Sequence, residues 1–333
     1  LRSYGLRLQR KRWRIRAFRK RRQLTAVADR TGNIKPKDIL VFSTFRNEDM
    51  RLPHFLEYYR NLGVTHFIMV DNESTDGGPA FLKDQPDVTL FRAKGSYKRA
   101  RFGVDWLNWL MRKYAHGHWC LTVDPDELLI YPFCDTRPLR ALTDWLDASS
   151  IKSFGAMLLD MYPKGPVDDI PYRRGSDPLE ITQWFDSGNY LIERNRKFGN
   201  LWIQGGPRAR TFFADKPERA PALNKIPLVK WERHYTYVSS THMILPRGLN
   251  LVYDEWGGEK ASGALLHTKF LSTFTDKARE ELERKQHYAN SHEYRAYAAG
   301  IEQNPDLWCK WSEKYINWRQ LEILGIMSKG NWA

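Results

Sequence analysis

Short apolar runs alternate with amphipathic segments between residues 39 and 123, and this alternation predicts a series of strands and helices. Apolar runs of strand length occupy residues 39–45, 65–70, 88–92 and 119–123. Apolar residues at helical spacing predict helices at residues 50–62, 79–83 and 97–114. Strands that alternate with helices form mainly parallel sheets with helices on both faces. The pattern therefore predicts an α/β fold with a Rossmann-like sheet.

The regular order loosens beyond residue 150. Residues 154–159 and 202–210 are predicted strand-like pieces, the second with a tight turn, and residues 163–200 form a polar, Arg-rich stretch expected to be a loop. Residues 275–329 predict two or three helices. We therefore expect an N-terminal arm (residues 1–37), a domain (residues 38–270) and a helical C-terminal extension (residues 271–333).

The excess positive charge lies in the arm. The 333 residues carry a formal charge of +14, of which +11 belongs to residues 1–30 and only +3 to the rest. A nucleic-acid-binding body requires a basic surface, so the nearly neutral body argues against one. The charge pattern therefore points to a separate role for the arm.

The sequence of the arm predicts a polybasic helix with a narrow apolar stripe of Leu6, Trp13, Ala17 and Leu24. Two interpretations stay open: an in-plane helix at an anionic membrane surface, or a solvated leader helix. Arginines interrupt every apolar run that a secretory signal needs. Three widely spaced cysteines form no disulfide framework. We expect a cytoplasmic protein, with peripheral contact at the inner face of the membrane under the first interpretation.

Polar, mostly acidic turns follow three of the predicted strands. They begin at Thr44, Asp71 and Asp124. The carboxyl ends of parallel strands meet at one sheet edge, where ligands bind in open α/β folds. Clustered carboxylates need compensation, so the edge predicts a site for Mn²⁺ or Mg²⁺, with Asp124 and Asp126 as a D-x-D pair. The alternative is that both aspartates cap a following helix.

Several blocks of sequence resemble the family 2-like glycosyltransferases of GT-A fold, and are also similar to family 92 enzymes. They are R-N-E at 46–48, L-P and F-L within 52–56, L-G-V at 62–64, D-N-x-S-T-D-G at 71–77, and V-D-P-D-E at 123–127. The resemblance covers about residues 38–130 and implies a nucleotide-sugar-binding half there, with an acceptor-binding half at residues 131–270.

The resemblance implies specific roles at these positions. It places Thr44, Arg46, Glu48 and Asp71 near the base and ribose, Asp124 near the ribose and metal, and Asp126 on the metal. From the residues alone, Asp71 and Asn72 at a strand end can accept hydrogen bonds from a ribose or a base edge. For Arg46 the alternative is an ion pair with Glu48 or Asp49.

Later residues are expected to complete the site. His267 is the predicted third metal ligand, supported by the late histidine of many GT-A enzymes, with His242 as the competing candidate. Lys269 is expected near a phosphate. Arg208 and Arg210 suit a phosphate or carboxylate, although structural salt bridges explain them nearly as well.

The general base and the acceptor groove are less determined. Asp160, which ends a predicted strand, is the preferred base, while Asp215 and Glu259 compete with it. Glu259 lies in a W-G-G-E stretch that resembles one found in some galactosyltransferases. Indole faces stack on sugars, so four tryptophans are acceptor-groove candidates, although core packing is the more common role: Trp184, Trp202, Trp231 and Trp256.

These features predict a metal-dependent glycosyltransferase, a hexosyltransferase that uses a nucleotide-sugar, expected to be a UDP-sugar. The expected acceptor is a glycan or glycolipid in surface polysaccharide or glycolipid synthesis. A nucleotidyltransferase is one alternative, but residues 45–49 hold no Gly-rich phosphate loop after the first strand. A noncatalytic module that binds nucleic acid or membrane is the other.

Overall fold

A computed structural model of the protein describes residues 2–253, 260–274, 300 and 303–332. The strands in this part are β1 (Leu24–Ala28), β2 (Ile39–Phe45), β3 (His66–Asp71), β4 (Val88–Ala93), β5 (Trp119–Thr122), β6 (Glu127–Ile130), β7 (Ser153–Asp160), β8 (Trp184–Asp186), β9 (Tyr190–Arg194), β10 (Leu201–Gly205), β11 (Asn224–Lys230), β12 (Thr236–Ser239), β13 (Met243–Leu245), β14 (Gly263–His267) and β15 (Ser312–Lys314). The helices are α1 (Arg2–Lys20), α2 (Leu52–Asn61), α3 (Gly78–Lys83), α4 (Val104–Tyr114), α5 (Leu139–Ala148), α6 (Gly206–Phe212) and α7 (Trp318–Ile323).

One nine-stranded sheet organises the molecule, in the order β1-β4-β3-β2-β5-β11-β7-β14-β6. The strands β4, β3, β2 and β5 run parallel, as the alternation of strands and helices predicts. Beyond β5 the sheet mixes directions: β11 is antiparallel to β5 and β7, β14 is parallel to β7, and β6 is antiparallel to β14. The predicted α/β class with its Rossmann-like parallel unit is confirmed.

Helices cover both faces of the parallel unit. Successive side chains of a strand point to opposite faces, so Val41 packs in a cluster with α2 and α5, whereas Phe42 packs in a second cluster with α4. Both side chains are fully buried. The continuous apolar run of β2 is explained by this burial on both faces.

The predicted helix over residues 97–114 is broken near its start. Residues Lys98–Ala100 form a 3-10 turn, and α4 begins only at Val104. Between them Arg101, Phe102 and Gly103 adopt left-handed backbone conformations, with φ of 53°, 57° and 78°. A Cβ atom at Gly103 would lie 2.8 Å from Thr44 Oγ1, so glycine allows this loop to approach the end of β2.

Two other segments differ from their predictions. The expected loop over residues 163–200 contains β8 and β9, and the predicted strand-like piece over 202–210 is the strand β10 followed by α6. Within the C-terminal extension, β15 pairs with β8 and α7 is a short helix. The charged helix predicted near residues 277–285 lies outside the described residues.

The N-terminal arm is docked on the domain, which neither interpretation of the arm anticipated. Ala17 on α1 is buried, and the Arg16 guanidinium donates to the Asp105 carboxylate of α4 at 2.7 Å. Phe18 packs edge-on against Trp109 with ring centroids 5.5 Å apart. β1 then pairs with β4 at the edge of the sheet, so residue 37 does not separate the arm from the sheet. Among the helices that the structure describes, none has the length and apolar character that a bilayer crossing requires.

The docking of α1 depends on Asp105, whose side chain is fully buried between two cations. Arg101 donates to Asp105 Oδ1 at 2.8 and 2.6 Å, opposite the Arg16 contact. Asp105→Asn removes the charge and leaves Arg101 buried, so we expect it to lower the free energy of unfolding by about 3 kcal/mol in urea. The control Asp144→Asn breaks an exposed pair with Arg140 and should change little. Equal losses in both variants would contradict this role.

Candidate active site

The polar turns predicted at one sheet edge do lie together at the carboxyl ends of β2 and β3 and after β5. Beside the turns that follow β2 and β5 lies a narrow cleft, which Thr44, Asp124, Glu127 and Lys225 line together with the loop before α4. The register places Thr44 opposite Val70 on the neighbouring strand. The parallel pairing thus explains why residues far apart in sequence share this edge.

The R-N-E turn and the D-N-x-S-T-D-G turn are joined by hydrogen bonds. Arg46 Nη1 donates to the carbonyl oxygens of Asn72, at 2.8 Å, and Glu73. Asn47 has a left-handed backbone, with φ of 50°, and its Oδ1 accepts from the Thr75 backbone at 2.8 Å. These contacts show Arg46 bracing the facing turn; its contact with a base and its ion pair with Glu48 or Asp49 stay predictions.

Other motif residues also build the turn. Asp71 Oδ1 accepts from the Ser74 backbone at 2.8 Å, and Asp76 accepts from the backbone of Asp49 at 2.8 Å and of Gly78 at 3.1 Å. The bond to Gly78 satisfies one donor at the start of α3, and the other two hold the turns themselves. Much of the motif therefore fixes backbone geometry.

Two buried oxygens remain for a ligand at this edge. Within the described part of the chain, Thr44 Oγ1 and Asp71 Oδ2 have no hydrogen-bond partner, and Arg92 Nε lies 3.5 Å from the latter. Asn72, in contrast, donates to the carbonyls of Ala93 and Gly95. Because unpaired buried oxygens are costly, Thr44 and Asp71 are suited to accept hydrogen bonds from a bound ribose or base.

The D-x-D segment forms a tight turn before a strand. Glu127 N donates to the Asp124 carbonyl at 3.0 Å, and Asp124 N donates back to Glu127 Oε2 at 3.2 Å. The strand β6 follows directly, so the alternative that these aspartates cap a helix is wrong. Half of the Asp124 side chain is exposed, in the cleft. Loss of solvation and then repulsion from Glu127 raise the pKa of Asp124.

A buried lysine that the sequence analysis missed neutralises this turn. Lys225 Nζ lies 2.8 Å from Glu127 Oε1 and 3.9 Å from Asp124 Oδ2, and 5% of its side chain is exposed. Burial opposes its charge, but Glu127 and Asp124 raise the pKa of Lys225. A lysine directly before the apolar residues 226–229 of β11 is the signal that could have identified it.

A chain of four polar side chains, of which Asp126 is partly exposed and the other three are buried, runs from the D-x-D turn into the protein. His267 Nε2 lies 3.2 Å from Asp126 Oδ2, and His267 Nδ1 lies 2.6 Å from Asp160 Oδ1. Arg208 Nε donates to Asp160 Oδ2 at 2.7 Å. The register of β14 with β7 places His267 directly opposite Asp160, so the sheet itself creates the contact.

The electrostatics of this chain assign Asp160 a positioning role. Burial opposes ionisation, but Arg208 and then His267 lower the pKa of Asp160. Both of its oxygens already accept hydrogen bonds from these cationic partners. It is therefore poorly suited to be the predicted general base. Of its competitors, Asp215 lies on an exposed turn and Glu259 lies outside the described residues.

The pair Asp126 and His267 fits a divalent cation. In the part of the chain that the structure describes, no three His, Cys, Asp or Glu side chains converge on a metal position. Adjacent ligands of an octahedral ion with bonds near 2.1 Å lie about 3 Å apart, which the 3.2 Å between Asp126 Oδ2 and His267 Nε2 approaches. With Nδ1 bonded to a carboxylate, Nε2 is the nitrogen that would bind the ion. Mg²⁺ and Mn²⁺ sites commonly use few protein ligands and complete the shell with phosphate and water.

Side-chain cations also compensate these carboxylates. Arg51, which the sequence analysis missed, is nearly fully buried, contacts Glu48 at 3.2 Å and donates to the Thr268 carbonyl at 3.3 Å. His267, then Arg51 and Lys269, hold the pKa of Asp126 well below its usual range although burial opposes them. The acidic edge therefore does not require a metal for charge balance alone.

The remaining candidates lie elsewhere. His242 Nδ1 contacts the Asn224 carbonyl at 2.7 Å, and burial, followed by Lys225, lowers the pKa of His242 to about 3. Arg210 makes a two-point salt bridge to Asp186 at 2.7 and 3.0 Å, which is the structural alternative for this residue.

The aromatic candidates divide between core and surface. Trp231 is fully buried in the core and packs against Tyr237, so it cannot line an acceptor groove. Trp256 lies outside the described residues. Trp184 and Trp202 are partly exposed and remain predictions.

The sequence matches no protein-family model and no curated protein. A solved structure described as a glucose-1-phosphate thymidylyltransferase from Bacillus anthracis shares 8% identity at a TM-score of 0.30, over 87% of this chain and 95% of that chain. A structure of 4-diphosphocytidyl-2C-methyl-D-erythritol synthase shares 13% identity at a TM-score of 0.25, over 42% of this chain and 70% of that chain. Similarities at these scores carry no argument about activity.

Asn47 offers a test of the joined turns. Asn47→Gly keeps the left-handed backbone and loses the side-chain bond to Thr75, for an expected loss of about 1 kcal/mol in the free energy of unfolding. Asn47→Ala adds the cost of a left-handed alanine, so we expect a total loss of about 2 kcal/mol. Urea denaturation measures both. Equal losses would show that the left-handed conformation is unimportant.

Proposed function

We propose that this chain is a glycosyltransferase that moves a sugar from a nucleotide-sugar, expected to be a UDP-sugar, to a glycan or glycolipid acceptor. The observation that carries the proposal is the contact of Asp126 with His267, 3.2 Å apart, at a sheet edge where Thr44 and Asp71 have unsatisfied buried oxygens. The resemblance of the R-N-E, D-N-x-S-T-D-G and D-x-D segments to family 2-like glycosyltransferases supports it. No specific feature of the cleft favours a nucleotidyltransferase.

In this proposal the nucleoside lies at the carboxyl ends of β2 and β3. Thr44 and Asp71 accept hydrogen bonds from its base or ribose, and Asp124 accepts from a ribose hydroxyl. Lys225, between Asp124 and Glu127, keeps the turn electrically balanced while the donor binds.

The diphosphate end of the donor lies toward Asp126 and His267. These residues would hold a Mn²⁺ or Mg²⁺ ion, which when bound neutralises charge on the departing nucleoside diphosphate. Asp160 fixes the ring of His267 through Nδ1, and Arg208 fixes Asp160 in turn. The acceptor hydroxyl also needs a proton acceptor, for which the described residues offer no well-placed carboxylate beyond those already paired.

Calorimetric titration of UDP, GDP and CMP, each with and without Mn²⁺, tests this assignment. We expect the wild-type protein to bind one nucleotide in a Mn²⁺-dependent way, and Asp126→Asn and His267→Gln to weaken that binding at least 10-fold by removing a ligand. The matched control Asp147→Asn breaks the partly exposed pair with Lys230 and should bind like the wild type. Thermal melts verify that each variant is folded.

Two results would count against the assignment. If no nucleotide binds the wild-type protein with Mn²⁺, the edge does not hold a nucleotide-sugar donor. If Asp126→Asn binds as the wild type does, the metal contact is misplaced.

We also propose that α1 contacts an anionic membrane, through a different face from the predicted stripe. Ala17 of that stripe is buried against the domain, whereas three other apolar residues of α1 are 44–64% exposed: Tyr4, Leu8 and Ile15. At 3.6 residues per turn these three share one side of the helix. Exposed Lys11, Arg12 and Arg19 lie beside them, and the arm carries no acidic residue before Asp29. This outer face suits a bilayer surface with anionic lipid.

Sedimentation with vesicles of 30% phosphatidylglycerol tests the membrane contact. We expect Leu8→Glu/Ile15→Glu to reduce vesicle binding at least 10-fold, because two apolar contacts are lost and two negative charges face the lipid. The control Ile170→Glu/Ile323→Glu makes the same change at exposed residues away from α1. Substitution is preferable to deletion of residues 1–30, which would also remove β1. Equal binding by both variants would exclude this face.

A further inference from the structure

A strongly basic groove lies between α1 and two turns of the domain, and it shares no lining residue with the cleft at Asp124. Its volume is 690 Å³. Five cationic side chains and one histidine line it: Arg7, Arg10, Arg196, Lys197, Arg247 and His234. These residues come from three distant segments of the chain, so the fold itself assembles the cluster.

The five cations of the groove are not neutralised by the protein, whereas His234 Nδ1 lies 3.5 Å from the Glu232 carboxylate. None of the residues that line it is acidic. In the part of the chain that the structure describes, none of the five cations forms an ion pair. Five like charges around one groove repel one another, and a bound polyanion would relieve that repulsion. Partial burial and the field of Arg10 also lower the pKa of His234.

The basic side chains stand on well-defined turns. Asn195 Oδ1 accepts from the backbones of Lys197 at 3.1 Å and Phe198 at 3.2 Å, and Gly199 N donates to the Asn195 carbonyl at 2.7 Å. Gly199 has φ of 83°, and a Cβ atom there would lie 2.9 Å from Arg247 Nη2. The missing side chain thus lets the Arg247 guanidinium pack against this turn, which brings two of the three segments together.

We propose that this groove is a second binding site, for a multiply charged phosphorylated group. Guanidinium groups bind phosphate oxygens through paired N–H donors, and three arginines beside a lysine suit two or more phosphates. The group can come from a soluble polyphosphorylated molecule or from a lipid headgroup, since α1 forms one wall of the groove. The proposal does not depend on the glycosyltransferase assignment, because it uses no residue of the candidate active site.

The experiment compares two charge-reversed variants of the full chain in two binding assays. Arg196→Glu/Arg247→Glu alters the groove and leaves the outer face of α1 intact. Lys83→Glu/Lys94→Glu makes the same change of net charge at exposed lysines on and near α3 and β4. Each protein is titrated with sodium tripolyphosphate by calorimetry, and sedimented with vesicles that contain 20% phosphatidic acid. Thermal melts confirm folding.

Tripolyphosphate binding that weakens at least 10-fold in the groove variant and stays unchanged in the lysine control supports a site for a soluble ligand. Vesicle binding that is lost in the groove variant alone, without tripolyphosphate binding to the wild type, supports a headgroup site. Equal responses of the two variants would show only an effect of net charge and overturn the proposal. Absence of binding by the wild type in both assays would also overturn it.

Discussion

The candidate site depends on the neutralisation of buried carboxylates at one edge of the sheet. Glu127 pairs with Lys225, Asp160 with Arg208, and Asp126 contacts His267, so each carboxylate has a partner that offsets the cost of its burial. The pairing of β14 between β6 and β7 supplies this arrangement, since it places His267 opposite Glu127 on one side and Asp160 on the other. The register of the sheet and the polar contacts of the site therefore depend on each other. A shift in the register of β14 against β6 or β7 would break the contacts that His267 makes and leave a carboxylate unpaired.

Much of the first half of the fold could be predicted from sequence, because local patterns determine it. The strands β2, β3, β4 and β5 are short apolar runs, and α2 carries Leu52, Phe55, Leu56 and Tyr59 on the face that is buried. The break before α4 was missed because the left-handed turn at Gly103 responds to a contact with Thr44, 59 residues away in sequence. The polar edge could also be predicted from local sequence, because its residues directly follow the predicted strands.

The compensating cations could not be predicted in this way. Lys225 reaches Glu127 only because β11 is inserted between β5 and β7, and Arg51 reaches Thr268 across more than 200 residues. Contacts between distant strands leave no periodic pattern in the local sequence. The local sequence therefore shows the carboxylates but does not show which cations pair with them. The sequence argument that gathered carboxylates need a metal was therefore incomplete, and the case for a cation depends on the specific position of His267.

The same reasoning changes what the family-like motifs mean. Arg46, Asn47 and Asp76 use their hydrogen bonds on the facing turn, so the motif first describes how two loops are joined. Joining them leaves Thr44 and Asp71 with unused oxygens at the end of β2 and β3, where a polar ligand would gain the full benefit of the missing bonds. A protein that kept only these motif residues could therefore keep the geometry of the two loops without binding a ligand there. The atoms that distinguish a binding site from a purely structural loop pair are the unsatisfied oxygens of Thr44 and Asp71 and the nitrogen of His267 that faces Asp126.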